Sequence, residues 1–154
     1  MSSSTKEILA SVKWQDCKTF VPDVTFGKVI KVYDGDSITI ATVATVFTNL
    51  IDAGIYRFSV RLNGIDTPEL RTKNEREKKA ARFVQQKLEA KVLGKYVNLK
   101  NVKNEKYGRL LCDVFVDGED VSINQWLLNN KLAVQYDGGT KNSPEDWLIF
   151  MGQG

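Results

Sequence analysis

Between Tyr56 and Gly64 the apolar Phe58, Val60 and Leu62 alternate with Arg57, Ser59 and Arg61. That period of two predicts a strand with one face on a core and Arg61 turned away from it. Upstream, Gly27–Tyr33 and Ser37–Phe47 are rich in Val, Ile and Thr and are split by Asp34-Gly35-Asp36. The pattern predicts strand, turn and strand, with Asp-Gly as a favoured hairpin turn. A loop is expected at Asn49–Gly54, part of a long connection over Thr48–Ile55.

The period then changes. In Glu75–Leu93, Ala80, Val84, Leu88 and Val92 recur every four residues, flanked by Ala81 and Phe83, and Gly94 stands where a helix terminates. Two more strands are expected at Tyr96–Val102 and Leu110–Val116, followed by an Asp117-Gly118 turn. Ser122 and Gln125 form a capping box for a short helix through Trp126 and Leu128, and Ser143-Pro144-Glu145-Asp146 reads as the start of a last one. Residues 1–24 show no firm periodicity beyond a helical turn near Lys6–Val12, so they read as an extension preceding a domain at 25–150. Five strands with helices after the third and fifth suit a small closed sheet of OB type, an ingredient list shared with other α+β folds.

Length and composition narrow the class. The 154 residues suffice for one domain, and 42% hydrophobic with 27% charged residues is ordinary for a globular protein. The stretch Ile38–Leu50 is too short and threonine-rich to cross a bilayer, and no membrane association is expected. Met1–Lys6 lacks the pattern of a secretory signal, so an intracellular protein is expected, or one whose targeting segment has been removed. Cys17 and Cys112 make neither a disulfide framework nor a zinc site, and Cys112 falls in an alternating run that reads as a buried strand.

The chain has no histidine. This excludes a Ser-His-Asp triad, a Cys-His pair and His-ligated zinc or iron. A catalytic metal would have to be held by oxygen, as calcium, magnesium or manganese are, and a general base would be a carboxylate. The net charge of +3 is unevenly spread: residues 71–110 hold 13 Lys/Arg against 4 Asp/Glu, whereas residues 111–154 hold 2 against 7. The basic stretch fits either a polyanion site or a solvated helix.

Three segments concentrate candidate chemistry. Asp34-Gly35-Asp36-Ser37 is at least a hairpin turn, in which glycine permits a tight bend and Asp36 projects a carboxylate. In Asp66-Thr67-Pro68-Glu69, Asp66 and Glu69 would form a helix capping box. The same geometry would hold Asp66, the Thr67 carbonyl and Glu69 on one rigid segment, with Arg61 five residues upstream. Lys106-Tyr107-Gly108-Arg109 alone is only a basic turn. Together they offer each part that phosphodiester hydrolysis requires. Two aspartates can hold a hard cation, arginines can fork onto phosphate oxygens, and a glutamate can orient the attacking water.

The order Asp-Gly-Asp-Ser, Arg-x4-Asp-Thr-Pro-Glu, Lys-Tyr-Gly-Arg and an Asp-Gly hairpin at Asp117-Gly118, from about Phe26 to Ala133, resembles the staphylococcal nuclease (thermonuclease) family. The resemblance implies a mainly β, α+β architecture: a five-stranded OB-type β-barrel with two to three α-helices. It also implies a calcium-dependent nuclease cutting DNA and RNA at the 5′ oxygen to leave 3′-phosphates. Position by position, Asp36 and Asp66 would be the calcium carboxylates, with the Thr67 main-chain carbonyl. Glu69 would be the general base or water-positioning group, and Arg61 and Arg109 would grip the scissile phosphate. Tyr107 would lie near the bound nucleotide, and Tyr136 would be a second substrate-side tyrosine. Calcium is the implied ion, with magnesium or manganese as alternatives, and a monomer acting on DNA or RNA is expected. Ser37 stands where threonine is usual, the stretch after Arg71 does not match the family's best-known member, and the last helix is short.

Two functions of different kind remain: the nuclease, and a non-catalytic OB-type module binding nucleic acid or protein. Degenerate modules of that kind tend to lack several charged residues, whereas Asp36, Arg61, Asp66, Glu69 and Arg109 are all present. A sequence-specific DNA reader has little support, since no helix-turn-helix or zinc pattern occurs.

Overall fold

The computed structural model describes residues 2–44 and 54–154. Five strands close into a barrel in the order β1-β2-β3-β6-β5. They are β1 (Phe26–Asp34), β2 (Ser37–Ala44), β3 (Gly54–Leu62), β5 (Tyr96–Asn104) and β6 (Leu110–Val116). All neighbours are antiparallel except β3 and β6, whose parallel pairing requires a crossover. That crossover carries a two-residue strand β4 (Ile65–Asp66), helix α2 (Glu75–Val92) and β5.

The alternating residues behave as their pattern predicts. Val29, Ile38, Ile40, Val60, Leu62, Val97, Leu110, Cys112 and Val114 are buried inside the barrel. Cys112 is thus a core residue, and its burial pushes the thiol up to about 12. The α2 stripe of Ala80, Val84, Leu88 and Val92 is wholly buried, and Asn74 caps the helix by accepting from the Arg76 and Glu77 amides. Gly94 follows with φ +77° and donates its N–H to the Val29 carbonyl, tying the helix end to β1.

Helix α3 (Ile123–Asn129) caps one side of the barrel. Strand β7 (Val134–Gln135) pairs with β4, and the short helix α4 (Trp147–Phe150) seats Trp147 and Leu148 against Ala80. At the N-terminus, helix α1 (Ser3–Leu9) buries none of its residues. No described helix is long and apolar enough to cross a membrane.

Several local expectations need correction. No helix begins at Asp66: it ends β4, and the next helix starts after Asn74. Asp117-Gly118 leads from β6 into α3, so it is not a strand-to-strand hairpin. Ser122 does cap α3, but the Gln125 side chain bonds Asn129, leaving half of the expected box. The last helix does begin from Ser143–Asp146 as expected, with Asp146 capping α4 by accepting from the Ile149 amide. The first helical turn is α1 at Ser3–Leu9, earlier than expected. The expected end of the second strand at Phe47 and the loop Asn49–Ala53 lie outside the described residues.

Candidate active site

Strand pairing brings the first two segments together. Ser37 pairs with Arg61 across β2 and β3, and the Leu62 amide donates to the Asp36 carbonyl at 2.8 Å. The Arg61 guanidinium therefore lies against the Asp36 carboxylate, at 3.5 Å. In the parallel β3–β6 register Arg61 pairs with Leu111, so Arg109 shares its outward face one step along the barrel.

Gly35 brings in the Asp66–Glu69 segment by a route different from the expected one. Its φ lies outside the left-handed region, so the turn itself does not demand glycine. The demand is space: a Cβ at Gly35 would stand 2.6 Å from Val84 Cγ1 and 2.9 Å from both Cβ and Oγ1 of Thr67. The missing side chain lets the β1–β2 turn press onto Thr67 and α2.

One cavity of about 700 Å³ results, lined by Asp34, Asp36, Arg61, Asp66, Thr67, Glu69, Arg71, Arg109 and Lys141, among others. Every metal and catalytic candidate read from the sequence is on that wall. Tyr136 is not, but its ring lies 5.7 Å from the Arg61 guanidinium, across the rim. Tyr107 belongs to the 3₁₀ turn Lys106–Gly108 that precedes Arg109.

The charges inside are unequal in their partners. Asp66 is buried, with Ser143 Oγ donating to Oδ2 at 3.2 Å and Lys141 Nζ 3.4 Å from Oδ1. Lys141 also reaches Glu69 Oε1 at 3.0 Å, and this bond in particular raises the lysine's pKa above its ordinary value. Arg109 donates to Glu105 Oε1 at 2.7 Å. Buried Arg109 Nε and Glu105 Oε2 have no hydrogen-bond partner among the described residues.

Asp34 is pushed up to about 7, chiefly by burial, then by its hydrogen bond to Asp36 and that residue's charge. Asp36, Asp66 and the Thr67 carbonyl are all hard oxygen donors, which suits a hard cation. Among the described residues no three carboxylates converge as a complete side-chain cage. A cation here would keep much of its shell for water and phosphate oxygens.

Sequence reading missed Asp34, Glu105, Lys141 and Ser143. A signal existed for two of them. Asp34 shares the Asp-x-Asp spacing, and Lys141 is one of only two basic residues beyond Leu110.

A sequence comparison with curated proteins gives no match. The family model described as staphylococcal nuclease homologue matches residues 59–149. This stretch contains Arg61, Asp66, Thr67, Glu69 and Arg109 and exceeds half of the chain. With the closed five-stranded barrel, that match establishes that the chain belongs to the staphylococcal nuclease homologue family.

Proposed function

We propose that the protein is a calcium-dependent nuclease that hydrolyses phosphodiester bonds of DNA and RNA, leaving 3′-phosphate products. The observation that carries this reading is the single cavity gathering Asp36, Asp66, Thr67, Glu69, Arg61 and Arg109. Asp36, Asp66 and the Thr67 carbonyl would hold the cation, with magnesium or manganese as alternatives to calcium. Bound there, it supplies Lewis-acid stabilisation of charge on a phosphate oxygen.

The remaining steps belong to side chains. Arg61 and Arg109 share an outward face and fork onto non-bridging phosphate oxygens, opposing the charge that builds at phosphorus. Glu69 is the exposed carboxylate of the set and can accept a proton from, or orient, a water attacking phosphorus. The Tyr136 ring backs the Arg61 guanidinium and, with Tyr107, would flank the nucleotide.

The test is digestion of single-stranded DNA and RNA with calcium, with mass analysis of the product ends. Cleavage that stops on chelation and leaves 3′-phosphates supports the reading, as does slowing in Glu69→Gln with retained calcium binding. Digestion indifferent to chelator rejects the metal assignment. Oligonucleotide binding without cleavage in any of the three cations would make the chain a non-catalytic OB-type module.

A further inference from the structure

A second cavity, of about 600 Å³, adjoins the first, and its lining is of a different chemical kind. The β4–β7 ribbon separates the two. Ile65 and Gln135 line the second cavity, while Asp66, next along β4, lines the first. Tyr136 joins them: it lines the second cavity, and its ring stacks toward Arg61 at 5.7 Å and Lys141 at 6.0 Å, which line the first. Tyr136 therefore stands at the junction of the two cavities, within reach of a strand whose phosphate lies between Arg61 and Arg109.

The first cavity carries Arg61, Arg71, Arg109 and Lys141, whereas the described lining of the second has no lysine or arginine. It presents the amides of Gln125, Gln135 and Asn142, the carboxylates of Asp113 and Asp137, and apolar surface from Phe115 and Leu128. Carboxylates repel phosphate, so the groove does not continue the phosphate track. It suits a flat, uncharged ligand with hydrogen-bonding edges, and its volume falls in the range of small-molecule sites. The floor is fixed: buried Asn124 accepts from the Val114 amide and donates to the carbonyls of Asn63 and Cys112.

We infer that this groove is a base-binding subsite that takes an unpaired nucleobase flanking the cleaved bond and prefers amino-bearing bases, guanine above all. The inference rests on the nuclease reading for the strand's position. Asp113 Oδ2 already accepts from Asn101 at 2.9 Å, and Asp137 Oδ1 accepts from the Gly139 amide at 2.9 Å. The second oxygen of each remains to accept from a base amino or imino group. Each engaged oxygen also keeps a second lone pair, so one carboxylate can still accept guanine's adjacent amino and imino donors together, whereas thymine and uracil offer no amino group.

The experiment uses single-stranded oligo-dT with a single dG, dA, dC or dT placed on either side of one cleavage step. Wild-type protein should cut beside dG about tenfold faster than beside dT, in kcat/KM. In Asp113→Asn/Asp137→Asn, which keeps an acceptor for Asn101 and Gly139, the dG/dT ratio should fall to about one. Gln125→Trp, which fills the groove, should erase the preference as well. Equal rates for all four bases in wild type, or an intact preference in both variants, would overturn the subsite. A separate readout covers a protein that cleaves nothing, which would reject the nuclease reading instead. Guanosine, which carries no phosphate, should perturb the side-chain amide NMR signals of Gln125, Gln135 and Asn142 in metal-free protein. Unmoved signals at millimolar guanosine would overturn the subsite independently of catalysis.

Discussion

Gly35 and Thr67 approach so closely that a Cβ on the glycine would stand 2.9 Å from the threonine Cβ. This contact joins the Asp36 turn to the Asp66–Glu69 segment, and it depends on the absence of a single methyl group. Gly35→Ala should therefore act on both stability and the site. Overpacking against Thr67 and Val84 should cost about 1–3 kcal/mol, read from urea unfolding. Cation affinity should weaken in parallel as Asp36 moves from Thr67, read by terbium luminescence. A variant as stable as wild type with unchanged affinity would mean that the turn relaxes freely.

Arg109 combines a proposed catalytic role with a structural one, and the two can be separated. Arg109→Ala should lower kcat about 100- to 1000-fold, as loss of a charge-stabilising donor does elsewhere. It also strands the Glu105 carboxylate, whose Oε1 it binds at 2.7 Å, at a cost of about 1 kcal/mol given the partial exposure of the pair. Adding Glu105→Gln should restore stability and leave turnover low. Recovery of turnover in the double variant would assign Arg109 to scaffolding alone.

Lys141 occupies ground that a cation would contest. Its ammonium lies within 3.4 Å of Asp66 Oδ1 and 3.0 Å of Glu69 Oε1. Lys141→Met should tighten calcium binding about fivefold, corresponding to about 1 kcal/mol of relieved competition at a half-exposed site. Calorimetric titration of the two proteins checks this. An unchanged constant would indicate that the cation does not use Asp66.

Asp34 should make stability depend on pH. Its pKa is raised from the ordinary carboxylate range to about 7, so between roughly pH 4 and 7 the folded state holds a proton that the unfolded state has released. Stability from this group is therefore fullest below the unfolded value and is lost as pH rises through 7. Asp34→Asn keeps the acceptor for the Asp36 amide and removes the ionisation. Thermal melts without divalent cation should show the variant gaining on wild type from pH 5 to pH 8. Parallel curves would mean that Asp34 titrates as an ordinary carboxylate.

Much of this arrangement was legible in the sequence, and the failures share a cause. The barrel strands and the α2 stripe were readable because burial repeats at a fixed period, so Val60, Leu62, Val84 and Leu88 each reinforce their neighbours. The candidate residues could be picked out as a set because carboxylates and arginines suit phosphoryl chemistry and their order resembles the family's, and the fold brings Asp36, Arg61, Asp66, Glu69 and Arg109 to one cavity. The misread residues are those whose local signal has two solutions. Asp66 resembles a helix cap, yet it accepts its hydrogen bond from Ser143, far along the chain. Gly35 resembles a turn glycine, yet its requirement comes from Thr67 and Val84, which no local window contains. Lys141 stands out in the sequence only as a rare basic residue in an acidic stretch; its place beside Glu69 depends on the Asp137–Asp146 loop, anchored by Arg76 on Asp146 at 2.8 Å.

The parallel junction of β3 and β6 joins the β1–β2–β3 run to the β5–β6 pair, with β4, α2 and β5 intervening in the chain. Arg61 and Arg109 become neighbours only through that seam. Such distant pairing forms late, after loop entropy has been overcome by the rest of the structure. A partly folded chain would then display its acids and its basic helix as unconnected charges, unable to engage a phosphate from both sides. The proposed phosphate grip would in this sense belong to the finished cylinder rather than to any piece of it.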